Sequence, residues 1–363
     1  MLFNIEHDTG DRITGYLVPD NFSSIARVRL MNRGELISVF ETPEERAALV
    51  AGARHETGRC GFTIDDRDIP NLAMQFDVEL YDDDTGCLLY RRMKPTMIAK
   101  KVIRFETQLL PFWRFDERLF QYFQYIGKGV DRYGRETVTQ MMLLENIHSL
   151  YMSGRINYKN YAYFIDNGFQ CFCMLQDPHD DCAERLLVLR NVAKVGPTFL
   201  GERDAKRFAP AIQFAETLPL SDEKSLRRAL QDMPDEVAGL LANPLTRLLT
   251  TTNPDDMPGT SAIASALDVL SSFAVVGLRN RPEEFNLTIG EWLGIADETL
   301  PALPPFQSVS PLGEFLKSTK VLDVILEKDM ELYQTISEAL RPLDDVVVTS
   351  PLMIDGSSTS VVS

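Results

Sequence analysis

Apolar and polar positions alternate in short runs through residues 1–95. "DRITGYLVP" and "IARVRLMN" are bounded by Gly, Pro, Asn and Asp, and "AMQFDVELYDDDTGCLLYRR" reads as two strands around an Asp-Asp-Thr-Gly turn. "TPEERAALVAG" at 42–52 predicts a brief helix, with Thr42 as N-cap and Glu45 three residues on. Strands this short and this closely spaced predict an antiparallel sandwich.

After residue 105 the period changes. Strands are expected at 119–126, 149–154, 169–175 and 273–278, and helices at 135–147, 179–193, 203–216, 222–232, 260–272, 283–293 and 311–340. Strands separated by helices predict an α/β fold, a parallel sheet with helices on both faces. Ligands of such sheets bind beyond the strand C-terminal ends, here the turns after Ile126, Met152 and Leu175. The basic stretch "RRMKPTMIAKKVIR" at 91–104 reads as a solvated connector, with a local anion or membrane-surface patch as the alternative. The expected division is a sandwich over 1–95, a basic linker over 96–106, an α/β domain over 107–343 and a polar Ser/Thr tail over 344–363.

Charge narrows the partners. With 37 basic against 53 acidic residues the net charge is −16, so the chain has no global attraction for nucleic acid or anionic membrane. Any polyanion site must be a local basic pocket. No apolar run approaches the ~20 residues that span a bilayer. Five cysteines without regular spacing argue against a disulfide framework, and a reduced, cytoplasmic protein is expected, with peripheral attachment to the inner membrane left open. Cys171 and Cys173 alternate in an apolar strand, which reads as core packing; no metal site is expected there.

Two resemblances carry the functional expectation. "ITGYLVP", "RVRLMNRGELI" and "GRCGFTI" resemble a small β-sandwich module attached to bacterial polysaccharide-processing transferases. "MLQDP", "NPLTRLL" (243–249), "ALDVLSSFAVVGLRNRPEEFNLTIGEWLG" (266–294) and "LEKDMELYQTISEAL" (326–340) resemble, in that order, the carbohydrate sulfotransferases that use 3′-phosphoadenosine 5′-phosphosulfate. The resemblance implies a P-loop-like domain in which a strand-to-helix loop offers backbone N–H groups and a Lys to the 5′-phosphosulfate. It also implies an Arg-Asp-Pro turn that, with an Arg and a Ser, holds the 3′-phosphate. A His or Glu base serves the acceptor hydroxyl.

Laid on that plan, the chain departs from it at each turn. Gly127-Lys128-Gly129 stands at the first loop, with Lys128 the candidate phosphosulfate lysine and Arg132, Arg135 and Thr137 as helpers; a polar loop with charges in water is the bland alternative. Arg155 takes the expected base position after "MSG", where a guanidinium can clamp an anion but cannot accept a proton. His148 reads as a cap or structural residue. At the third turn Asp177-Pro178 is kept, Gln176 replaces the Arg, and Asp181 and Glu184 stand near the second Arg and the Ser. Arg185 is a substitute by register. Swapping a cation for an anion ~4 Å from a phosphate costs several kcal/mol even at an effective dielectric of ~20.

Three functions follow. One is an active sulfotransferase on bacterial surface carbohydrate, with 3′-phosphoadenosine 5′-phosphosulfate as cofactor and Lys128 and Arg155 as its catalytic groups. Its donor contacts would be Gly127, Lys128, Gly129, Arg135, Thr137, Gln176, Asp177 and Arg185. The favoured one is a sulfotransferase-like scaffold or regulatory protein of polysaccharide assembly, with transfer impaired or lost. Its partners would be a carbohydrate acceptor or polysaccharide-assembly proteins, with no nucleic acid and no integral membrane segment. The weakest is a glycosyltransferase or metal-dependent enzyme using Asp177, His179, Asp180 and Asp181, a helix start where the dipole favours acids in any case.

Overall fold

The computed structural model describes residues 1–340 except 22, 145, 196–199, 297–298 and 304–306; the expected tail at 344–363 lies outside the described residues. Eight strands build the N-terminal part: β1 Leu2–Asp8, β2 Ile13–Val18, β3 Arg27–Asn32, β4 Glu35–Glu41, β5 Glu44–Glu45, β6 Arg59–Ile64, β7 Val78–Asp82 and β8 Leu88–Arg91. They form two antiparallel sheets, β1-β2-β6-β5 and β4-β3-β7-β8. The alternation seen in the sequence places Phe3, Ile13, Leu17, Val28, Leu30, Phe62, Ile64 and Leu80 in the core. The β7–β8 turn forms as expected: Asp82 accepts from the Thr85 amide at 2.9 Å, and Gly86 supplies a φ of +69°.

The helix expected at 42–52 is shorter. Helix α1 spans only Ala47–Ala51, because Glu44 and Glu45 pair with β6 and the buried Thr42 hydroxyl donates to the Ala26 carbonyl at 3.3 Å. Thr42 is therefore not a cap.

The second part has a five-stranded sheet, all parallel, of β9 Lys101–Phe105, β10 Tyr125–Lys128, β11 Leu150–Gly154, β12 Phe169–Leu175 and β13 Val275–Leu278. Its order is β10-β11-β9-β12-β13, so its first strand lies in the middle. The helices are α2 Trp113–Leu119, α3 Arg135–Met142, α4 Ala162–Asp166, α5 Pro178–Arg190, α6 Val192–Val195, α7 Glu202–Arg207, α8 Ala209–Thr217, α9 Glu223–Gln231, α10 Asp235–Leu241, α11 Pro244–Thr250, α12 Ala262–Ser271, α13 Pro282–Leu293, α14 Val309–Lys317, α15 Lys320–Ile325 and α16 Glu327–Ala339. None of the described helices is long and apolar enough to cross a membrane.

Two expectations are corrected here. The basic connector at 91–104 contains most of β9, the central strand. Val102 packs on one face of the sheet and Ile103 and Phe105 on the other, so both faces are covered. The strand expected at 119–126 begins only at Tyr125, because α2 and a turn of 3-10 helix at Phe120–Tyr122 precede it. Phe115, Leu119 and Phe123 bury there with Tyr151 and Phe172, and each fully buried large side chain contributes roughly 1.5–3 kcal/mol. That helical contact outweighs the β-propensity of the aromatic run.

The sandwich packs on the α/β part, a relation the sequence left open. Gln140 of α3 donates to the Phe3 carbonyl at 2.8 Å, and Gln124 donates to the Arg91 carbonyl at 3.0 Å. The Phe3 and Tyr125 rings stack at 6.4 Å, within one apolar cluster that runs across both parts.

Candidate functional site

The loop at 106–112 follows the central strand, at the place where open parallel sheets bind ligands. A phosphate loop would aim backbone N–H groups outward from that position. This loop presents carbonyls instead: Thr107 O accepts from Arg185 at 2.7 Å and Leu109 O from Arg155 at 3.3 Å. Its side chains tie it to β12, where Thr107 and Gln108 donate to the Met174 carbonyl at 2.7 and 2.8 Å. The local dipole therefore suits cations, and arginines occupy it.

Beneath the loop lies a buried ionic network. Arg104 on β9 is paired with Asp116 of α2 at 2.9 Å and Glu106 at 2.7 Å, and Tyr151 and Ser153 donate to Asp116 at 2.6 and 3.0 Å. Burial works against the Arg104 charge, but Asp116, Tyr151 and Glu106 hold its pKa well above the ordinary value. Glu106 also accepts from the Phe112 amide at 2.8 Å. Burial raises the Glu106 pKa, Arg104 opposes that, and Asp116 and Asp131 reinforce it.

A cleft of about 70 Å³ opens above this network, lined by Glu106, Thr107 and the guanidinium groups of Arg155, Arg185, Arg203, Arg207 and Arg247. Four elements supply these cations and their counter-charge Asp204, namely the end of β11, α5, α7 and α11, while Glu106 and Thr107 follow the C-terminal end of β9. Arg155 bonds Asp204 at 2.8 Å and Asp131 at 3.3 Å, Arg185 bonds Asp181 at 2.5 Å, and Arg207 bonds Asp255 at 2.5 Å. Arg247 differs. Among the described residues its donors reach only the carbonyls of Gly239, Ala242 and Pro254. Burial, with the charges of Arg207 and Arg185, lowers its pKa, yet a guanidinium stays protonated. The volume suits one oxyanion or a few waters and falls below the ~300–1,000 Å³ of an organic-ligand pocket.

Of the residues singled out in the sequence, the structure brings Arg155 and Arg185 together in this cleft. Lys128 lies elsewhere, at the end of edge strand β10, 3.2 Å from Glu117 and above the Trp113 ring. Gly127 packs against Val130 and Met141, and Gly129 takes a φ of +62° to start the next turn. Arg132 folds back to the Lys128 and Gly129 carbonyls at 3.1 and 3.3 Å. Arg135 lines a different cavity between α3 and the sandwich, and buried Thr137 accepts from the Met1 amine at 3.1 Å. Of the first-loop set, Gly129 and Arg132 line a small pocket with Glu106 and Arg155, whereas Lys128, Arg135 and Thr137 are engaged elsewhere. His148 is exposed just before β11.

The third turn is rebuilt internally. Asp177 is the N-cap of α5, accepting from the His179 and Asp180 amides at 2.9 and 3.4 Å, with Pro178 at the first helical position. Burial opposes its charge, but the contacts with His179 and Lys317 leave its pKa lowered. Gln176 and Glu184 point inward to one partner, Arg279 just beyond β13, at 2.5 and 2.7 Å. Gln176 Nε2, Glu184 Oε1 and Arg279 Nε are buried without a protein partner among the described residues, and none of these three side chains lines a cavity described for the chain. Acids at this turn thus meet an arginine of the protein rather than a phosphate.

Sequence reasoning did not find Glu106, Arg207, Arg247 or Arg279. Arg247 and Arg279 stand inside quoted segments, "NPLTRLL" and "VVGLRN", so the signal was present as an arginine after a Pro-started helix and one directly after a strand. No family model matches the chain, and no match was found for it among curated proteins.

Proposed function

We propose that this is a sulfotransferase-like protein of bacterial surface-polysaccharide biosynthesis or modification that has lost sulfuryl transfer and acts as a scaffold or regulatory partner. The observation that carries the reading is the polarity of the loop after the central strand, which turns the carbonyls of Thr107 and Leu109 toward arginines where a donor site needs N–H groups. Two further features support it. Arg279 engages both Gln176 and Glu184 at the former 3′-phosphate turn, and Lys128 is paired with Glu117 at a separate strand end. The test is calorimetric titration of the full chain with 3′-phosphoadenosine 5′-phosphate. No micromolar binding is expected; micromolar binding would overturn the reading.

A second reading, an active transferase, draws on one observation. Arg155 and Arg185 share a cleft with Glu106, a carboxylate whose pKa burial raises and which could serve an acceptor hydroxyl. The same titration separates the two, since transfer from this donor requires the nucleotide to bind.

A further inference from the structure

Arg247 sits 4 % exposed beside Arg185 and Arg207, and none of its hydrogen bonds or ion pairs among the described residues involves a carboxylate. A buried cation held by carbonyls rather than by a contacting carboxylate is costly; the charges of Arg207 and Arg185 raise that cost, and those of Asp255 and Asp329 offset part of it. The lining carries five guanidinium groups; Asp131, Asp181, Asp204 and Asp255 engage Arg155, Arg185 and Arg207, which leaves Arg247 as a buried guanidinium held by carbonyls alone among the described residues. Arginine's planar fork matches the edge of a tetrahedral oxyanion with paired N–H bonds. Phe208, Leu240, Pro244 and Leu248 also line the cleft, and apolar lining lowers the local dielectric and strengthens each charge contact.

We propose that this cleft binds a single tetrahedral oxyanion, sulfate or phosphate, with Arg247 and Arg185 at its floor and Arg155, Arg203 and Arg207 around it. The cleft's size selects one such group, either as the free ion or as the charged end of a saccharide ester whose sugar stays outside. Arg203 is the entrance cation: its side chain is 76 % exposed and its nearest carboxylate contact, with Asp204, is long at 3.9 Å. The site itself does not depend on whether transfer is lost; only the saccharide-ester source rests on the function proposed above.

The experiment is calorimetric titration of the full chain with sodium sulfate, sodium phosphate, glucose 6-sulfate and glucose 6-phosphate, at ionic strength held constant with chloride. Saturable one-to-one binding is expected, weakened about tenfold or more by Arg247→Gln and a few-fold by Arg203→Gln, with Lys128→Gln at wild-type affinity. Tighter binding of the esters than of the free ions assigns the ligand to a saccharide ester, and the reverse order assigns it to the free ion. Absence of saturable heat with all four compounds up to about 20 mM overturns the site. So does wild-type affinity in folded Arg247→Gln; if that variant fails to fold, wild-type affinity in the exposed Arg203→Gln paired with Arg155→Gln does the same. Micromolar binding of 3′-phosphoadenosine 5′-phosphate that Arg247→Gln leaves unchanged would sink the loss of transfer and leave this site standing. Failure of all four oxyanions would remove the site and leave the loss of transfer intact.

Discussion

Arg279 and Glu184 form a buried ion pair at 2.7 Å, joining the residue after the edge strand β13 to the middle of α5. Both side chains are almost fully buried, at 5 % and 1 % exposure, so each carries the cost of leaving water and depends on the other. Glu184→Ala is expected to destabilise the fold by about 3–5 kcal/mol, because it leaves the Arg279 charge buried with only Gln176 beside it. A paired Glu184→Leu, Arg279→Met variant should lose less than Glu184→Ala. Urea unfolding of the three proteins checks this; a double variant weaker than the single one would show that packing, not charge, holds this corner.

Lys128 provides the opposite case. Its pair with Glu117 is 35 % and 63 % exposed, and exposed pairs contribute roughly 0–1 kcal/mol. Lys128→Ala should therefore shift the urea midpoint little and leave oxyanion binding unchanged. A large loss of either would place Lys128 in a site with Arg155.

Asp329 holds the start of α11. Its carboxylate accepts from the Leu245 and Thr246 amides at 2.9 and 2.7 Å and from the Thr246 hydroxyl at 2.6 Å, while Asn243 Oδ1 accepts from the Lys328 and Asp329 amides at 2.9 and 3.1 Å. Burial outweighs these bonds and pushes its pKa up to about 6. The folded value lies above the unfolded one, so its contribution is fully present below about pH 4 and lost as pH rises through about 6. The stability difference between wild type and Asp329→Asn should accordingly shift toward wild type by up to roughly 3 kcal/mol between pH 7 and 4. Unfolding curves of both proteins across that range measure it; a flat difference would mean the carboxylate keeps its ordinary pKa.

Glu106 faces the arginine cleft with a raised pKa, set first by burial. Sulfate keeps its charge over the range in which Glu106 takes up a proton, so protonation removes repulsion from the site. Sulfate affinity should rise as pH falls below neutrality, and Glu106→Gln should bind more tightly and flatten the profile. Asp204 also lines the cleft, and its pairing with Arg155 keeps its charge occupied. An unchanged pH profile in Glu106→Gln would assign the dependence elsewhere.

Much of the α/β order was legible. The apolar run "FQCFCML" is β12 to the residue, since a strand buried on nearly all sides reads as continuous apolar sequence. The central strand β9 was hidden for the converse reason: "KVIRF" carries Lys101 and Arg104 inside a basic stretch, and nothing local says that Arg104 is neutralised by Asp116 and Glu106. Missing it moved the expected first loop from 106–112 to 127–137 and turned attention to Lys128. Arg155 was found because it directly follows a strand, and Arg185 by its register in the helix after the third turn. Arg247 was missed because its helix reaches the cleft from a remote part of the chain.

Outside residues 91–126 the sequence by itself determined most element types, the antiparallel-then-parallel division and the Asp177-Pro178 start of α5, because periodicity, turn residues and caps act over a few neighbouring positions. It also determined that any anion site would be a local basic pocket, since the chain as a whole repels anions. Tertiary structure decided which cations meet. Arg155, Arg185 and Arg247 are up to 92 positions apart, and only the parallel order of the strands and the placement of α11 bring them to one cleft. It likewise decided that Gln176 and Glu184 face Arg279 rather than a ligand, because burial makes an acid find its counter-charge wherever the fold supplies one.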